Sequence, residues 1–109
     1  MRFWDSTAIV PLTVSETSSG ALRALLSEDS EMIVWWSTEI ECFSALARRE
    51  REKNVTVDEL TAATADLAVF AANWKEVMPI REVRETAKRL LRLHPLRSAD
   101  ALQLAAALA

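Results

Sequence analysis

The run Met32-Ile33-Val34-Trp35-Trp36 constrains this chain most. It is of strand length and wholly apolar. A strand with one wet face alternates polar and apolar residues, so an unbroken run reads as a strand buried on both faces. That environment belongs to parallel sheets covered by helices. Two further stretches fit the same role. Arg2–Trp4 reads as a first strand, and Trp74–Ile80 as a third, with Glu76-Val77-Met78 at its centre and Pro79 closing it. Each is followed by two helical patterns. Strand, two helices, three times over, predicts an α/β fold with a parallel sheet and right-handed crossovers.

The helical patterns have legible limits. Thr7–Leu12 makes a short helical turn, restricted by Pro11. Thr17, Ser18 and Ser19 are N-cap candidates for the next helix, whose apolar face is Ala21, Leu22, Leu25 and Leu26. A third helix is expected over Thr38–Glu52. Thr38 and Glu41 have capping-box spacing, Ile40, Phe43, Leu46 and Ala47 form the apolar stripe, and Asn54 is the stop. Thr56 and Glu59 form a second capping box. It opens a fourth helix that buries Leu60, Ala63, Leu67, Phe70 and Trp74. A fifth runs from Arg81 to Leu93 with Val83, Ala87, Leu90 and Leu91 inward, until His94-Pro95 breaks it. The sixth, Leu96–Ala109, ends in almost unbroken apolar residues with no stop signal. It is expected to need cover from a further part of the domain or from a partner.

Composition removes several function classes. A length of 109 residues suits one domain. A single glycine argues against a glycine-rich phosphate loop. A net charge of −3 leaves no broad basic footprint for a dedicated DNA-binding module. Cys42, the only cysteine, excludes an internal disulfide and a multi-cysteine zinc site, and suggests a reducing, cytoplasmic setting. No segment is apolar enough to span a bilayer, and the N-terminus lacks the pattern of a signal peptide.

Three acids stand at comparable places. Asp5 ends the first strand, Glu41 lies in the first turn of the helix after the second, and Asp100 lies early in the last helix. In a parallel sheet the carboxyl ends of strands share one edge, so carboxylates distant in sequence can converge there. Oxygen donors gathered in this way suit Mg²⁺ or Mn²⁺. Each acid also has a plainer reading: Asp5 as an N-cap, Glu41 as the capping-box glutamate, Asp100 as a charge favourable to the helix dipole. Glu39 competes with Glu41, and periodicity does not choose between them.

A resemblance does choose. Asp5-Ser6-Thr7-Ala8, then Glu41-Cys42-Phe43-Ser44-Ala45-Leu46-Ala47-Arg48, then Leu96-Arg97-Ser98-Ala99-Asp100-Ala101-Leu102-Gln103-Leu104-Ala105 resemble the successive motifs of the PIN domain. More narrowly they resemble VapC toxins of type II toxin–antitoxin pairs. The resemblance covers nearly the whole chain and implies a three-layer α/β/α fold with a parallel sheet of strand order 3-2-1-4-5. Here the 3-2-1 part would be present and the fourth and fifth strands missing, giving a single PIN-like domain over 1–109 that is C-terminally truncated. It implies a metal-dependent ribonuclease in which Asp5, Glu41 and Asp100 hold Mg²⁺ or Mn²⁺, with Ser6 or Thr7 bonding a water or carboxylate beside them. Arg48 and Arg97 would pair with nearby acids or contact RNA phosphate, with pairing favoured. The implied partners are an RNA substrate, a cognate antitoxin and a second copy of the chain. The rival readings are an inactive PIN remnant that only binds protein or RNA, and an unrelated α/β binding module whose acids are caps. The four tryptophans are expected in the core.

Overall fold

The computed structural model describes residues 1–109. Its elements are β1 (Arg2–Phe3), α1 (Ser6–Thr13), α2 (Ser19–Glu28), β2 (Met32–Trp35), α3 (Thr38–Arg51), α4 (Val57–Asn73), β3 (Lys75–Val77), α5 (Arg81–Leu93) and α6 (Ser98–Leu108). The three strands form one parallel sheet in the order β1-β2-β3. Arg2 stands opposite Met32 and Phe3 opposite Ile33, while Ile33, Val34 and Trp35 face Lys75, Glu76 and Val77. The apolar run is thus the central strand. β1 and β3 are shorter than the stretches expected for them.

β2 feeds two cores, as an unbroken apolar strand must. Met32 and Val34 join Trp4, Ile9, Leu46 and Leu67 in the larger cluster, with Cys42 and Trp74. Trp35 points the other way and joins Val83, Ala87, Ala101, Ala105 and Ala106. The second cluster is built largely from alanine, which lets α5 and α6 pack closely against one another and α6 against β2. Alternation along the strand therefore sorts α1, α3 and α4 to one cluster and α5 and α6 to the other.

Several local expectations change. Pro11 lies inside α1, which ends two residues later. On α2, Leu22 and Leu26 pack against the larger core, while Ala21 and Leu25 are exposed. The fourth helix behaves as its pattern says: Thr56 accepts from the Glu59 amide (3.1 Å) and Glu59 accepts from the Thr56 amide (3.0 Å). The box at Thr38 does not form. Ser37 is the N-cap of α3, and Thr38 is buried instead of capping. The expected α3 stripe is split: Leu46 is buried and Ala47 partly so, but Ile40 is 67% and Phe43 49% exposed, and Thr38 and Cys42 take the inward places. The left-handed residue after α3 is Lys53 (φ 58°), with Asn54 donating its amide back to the Arg49 carbonyl (2.9 Å). Leu91 on α5 is exposed too. Three tryptophans enter the core, but Trp36 is 51% exposed. On α6, Ala105 and Ala106 are covered within the chain, whereas Leu104 and Leu108 are exposed. No helix is long and apolar enough to cross a membrane.

Candidate active site

All three strands run in parallel, so their carboxyl ends share one edge. Asp5 caps α1 after β1, Glu41 lies in the first turn of α3 after β2, and α6, which follows α5, brings Asp100 to the same place. Asp5, Glu41 and Asp100 line one cavity of about 360 Å³, together with Ser6, Thr7 and Gln103. Glu39, the competitor of Glu41, lies elsewhere, exposed beside Trp36, Ile40 and Phe43.

The three carboxylates are held to different degrees. Asp5 is the N-cap of α1: its Oδ1 accepts from the Ala8 amide (3.1 Å) and from the Thr7 hydroxyl (2.7 Å). The capping role and a place on the cavity wall are therefore compatible, because one oxygen satisfies the helix terminus and the other does not. Glu41 is far more constrained. Its Oε1 accepts from Ser6 Oγ (3.1 Å) and Gln103 Nε2 (2.9 Å), and its Oε2 accepts from Ser37 Oγ. Donors from α1, from the N-cap of α3 and from α6 thus meet on one carboxylate and fix its position. Asp100 is exposed in the first turn of α6 and makes no ion pair.

Two hydroxyls expected near the site divide the work: Thr7 bonds Asp5 and Ser6 bonds Glu41. Neither Arg48 nor Arg97 pairs with an acid, contrary to the favoured expectation. It is Arg49 that pairs, with Glu16, and also donates to the Ala45 carbonyl (3.3 Å). Arg48 stays exposed and lines a second cavity of about 340 Å³. That cavity shares Ser6 and Thr7 with the acidic one. Arg97 is the N-cap position of α6 and is exposed.

Cys42 sits beneath the acids. Burial, followed by the charges of Glu41, Asp5 and Glu39, pushes its thiol up to about 12. A thiol so placed stays protonated and is no nucleophile. Sequence reasoning missed three residues of the site: Ser37, Thr38 and Gln103. The signal for Gln103 was a polar residue between Leu102 and Leu104 in an otherwise apolar helix, and it was read only as part of a motif. Its Nε2 donates to both Thr38 Oγ1 (3.1 Å) and Glu41.

Two curated relatives align with almost the whole chain. Ribonuclease VapC45 and Ribonuclease VapC49, from two strains of Mycobacterium tuberculosis, are each 35% identical to it over 107 residues. The alignment spans 98% of this chain and 74% of each relative. The chain belongs to the VapC-type PIN family. No family model matches it. For a VapC-type chain the cavity has the expected donor chemistry, since its ionisable walls are carboxylates and its other polar walls are hydroxyls and an amide. Such oxygen donors suit a hard divalent cation that retains several waters. The acids converge on one cavity, yet no group of three acid, histidine or cysteine side chains is gathered as a ready-made ligand cluster.

Proposed function

We propose that this chain is a metal-dependent endoribonuclease, the toxin of a type II toxin–antitoxin pair. The observation that carries this reading is the convergence of Asp5, Glu41 and Asp100 on one cavity in a chain of VapC type. In this reading Asp5 and Asp100 hold Mg²⁺ or Mn²⁺, directly or through water, and Glu41 completes the charge of the site. The bound cation supplies water activation and neutralises charge on a phosphodiester.

The chain's own groups do the rest. The Ala8 amide and the Thr7 hydroxyl hold one oxygen of Asp5 and leave the other for the cavity. Ser6, Ser37 and Gln103 hold the Glu41 carboxylate in place. Arg48 has no carboxylate partner and lies one cavity away across Ser6 and Thr7, which suits it to an RNA phosphate flanking the scissile one. Hydrolysis adds water across the phosphodiester, with the attacking oxygen going to phosphorus and a proton to the departing 3′ oxygen. The products are 5′-phosphate and 3′-hydroxyl ends.

The same reading carries the finer architecture and partners. Residues 1–109 form a single PIN-like domain of three α/β/α layers, with further strands of the family fold joining beside β1, which pairs only with β2 here. A cognate antitoxin blocks the acidic cavity, the toxin acts in the cytoplasm, and two copies associate through helices. The shelf of Trp36, Ile40 and Phe43 is the apolar surface suited to that contact.

The test is RNA cleavage by the wild type and by Asp5→Asn, with Mn²⁺ titrated from an EDTA-treated start. Wild-type cleavage should vanish in EDTA and return with Mn²⁺. Asp5→Asn should lose about 100-fold or more at saturating metal, because a lost ligand should cost at least as much as a lost outer partner of a ligand. Unchanged cleavage by folded Asp5→Asn would sink the assignment. Metal-independent cleavage would sink the metal's role.

A further inference from the structure

We propose that Gln103 is a positioning residue that sets Glu41 and Asp100 relative to one another. The inference rests on the proposed ribonuclease reading and extends it to a residue that makes no claim on substrate.

Gln103 is buried, and its amide nitrogen reaches two groups on α3: Thr38 Oγ1 at 3.1 Å and Glu41 Oε1 at 2.9 Å. The assignment of nitrogen and oxygen follows from chemistry. An ionised carboxylate only accepts, so the donor end of the amide must face Glu41. Ser6 and Ser37 also donate to Glu41, but a hydroxyl can rotate and become an acceptor. The NH₂ group cannot. Gln103 is therefore the one neighbour of Glu41 whose contact is intelligible only if Glu41 accepts.

Its place on α6 gives this bond a second consequence. Asp100 and Gln103 are three residues apart on one helix and so share a face. Both line the acidic cavity. The bond from Gln103 to Glu41 crosses 62 residues of sequence and fastens that face of α6 to α3. It thereby fixes where Asp100 stands with respect to Glu41. The contacts of α6 in the second core hold the helix on β2 and α5, but none of them bonds to α3.

A packing role alone does not account for the side chain. Gln103 Oε1 is buried without a hydrogen-bond partner, which is unfavourable in a core. Leucine has similar bulk and would avoid that orphan. The amide is explained by its donor, not by its volume.

The experiment uses the full chain and the variants Gln103→Leu, Gln103→His and Glu41→Gln. Three readouts are taken: thermal melting, Mn²⁺ affinity followed by electron paramagnetic resonance with the metal alone, and kcat and KM on an RNA oligonucleotide. Gln103→Leu should melt cooperatively, bind Mn²⁺ about 10-fold more weakly and lose about 10- to 100-fold in kcat, with KM within about twofold. Gln103→His, which retains a ring N–H, should recover part of both losses. In the wild-type chain the Gln103 side-chain amide proton resonances should move in Glu41→Gln and stay in Asp5→Asn. That signal needs no substitution at 103, so misfolding of Gln103→Leu does not remove the test. Wild-type Mn²⁺ affinity and kcat in a folded Gln103→Leu would overturn the inference, as would amide resonances indifferent to Glu41→Gln. If Glu41→Gln cleaves RNA normally, it is the ribonuclease reading that fails, and the amide signal still reports separately on the bond.

Discussion

The two faces of α3 depart from the usual order of a surface helix in its first turns. Its inner face presents Thr38, Glu41, Cys42 and Leu46, and the first two are polar. Its outer face presents Ile40 and Phe43, with Trp36 beside them, about half-exposed or more. In an ordinary amphipathic helix the oily side turns in. Here two polar residues turn in beside Cys42 and Leu46 because they meet partners there: Ser6, Ser37 and Gln103 satisfy Glu41, and Gln103 satisfies Thr38. The difference teaches that a helix flanking a site is oriented by hydrogen-bond satisfaction as well as by burial. What it leaves outside is then apolar surface available to another molecule.

The sharpest way to break this comparison is through the one large apolar residue on the inner face. Leu46 is almost fully buried in the larger core. Leu46→Ala should cost about 2–5 kcal/mol of unfolding free energy, read from urea melts, since it removes buried methyl groups and leaves a cavity. A loss below about 1 kcal/mol would mean that the inner face is not packed as described, and the contrast between the two faces would lose its inner half.

A smaller effect sharpens the electrostatic side. The Cys42 thiol rises from 9.0 to about 12 in the folded chain because it is buried and lies within the field of the Glu41, Asp5 and Glu39 carboxylates. The folded state therefore keeps the proton at pH values where the unfolded state has released it. Stability from this source is complete below pH 9 and is lost as pH rises from 9 toward 12. In EDTA, the wild type should lose melting temperature faster than Cys42→Ala above pH 9. Cys42 should also resist maleimide at neutral pH until urea exposes it. Parallel pH profiles for the two chains would show that neither burial nor the neighbouring acids raise the thiol.

How far the residues alone could be read follows from the same contrast. The unbroken run at β2 announced a two-sided strand, and it feeds both cores. The box at Thr56 and Glu59 was legible because both its bonds are local. The similar spacing at Thr38 and Glu41 misled, because more distant partners outcompete the local ones: Gln103 is 62 residues from Glu41 and Ser6 is 35. Periodicity placed Leu46 inward correctly and Ile40 and Phe43 inward wrongly, since the first turn of α3 is oriented by Thr38 and Glu41. Strand ends and helix starts mark a sheet edge and so single out Asp5 and Asp100, the family resemblance prefers Glu41 to Glu39, and the fold brings all three to one cavity. Gln103 was missed because a lone amide in an apolar helix carries no pattern. Arg48 and Arg49 are neighbours of identical type, and only the fold shows which one meets Glu16.

The gentlest test addresses the outer face. Phe43 and Ile40 contribute little to the interior of a single chain, so Phe43→Ser or Ile40→Ser should change unfolding free energy by no more than about 0.5 kcal/mol at low protein concentration. At higher concentration the comparison gains a second reading. If two copies meet through this shelf, association stabilises the folded state by mass action, and the wild-type melting temperature climbs with concentration. Phe43→Ser should abolish that climb while leaving the dilute value in place. Sedimentation of the same two chains should give a wild-type mass that rises with concentration and a variant mass that does not. If the wild type already melts independently of concentration and sediments as a single chain, the shelf does not join copies. If instead Phe43→Ser destabilises the dilute chain as much as Leu46→Ala does, the outer face belongs to the core, and the two sides of α3 are not opposites at all.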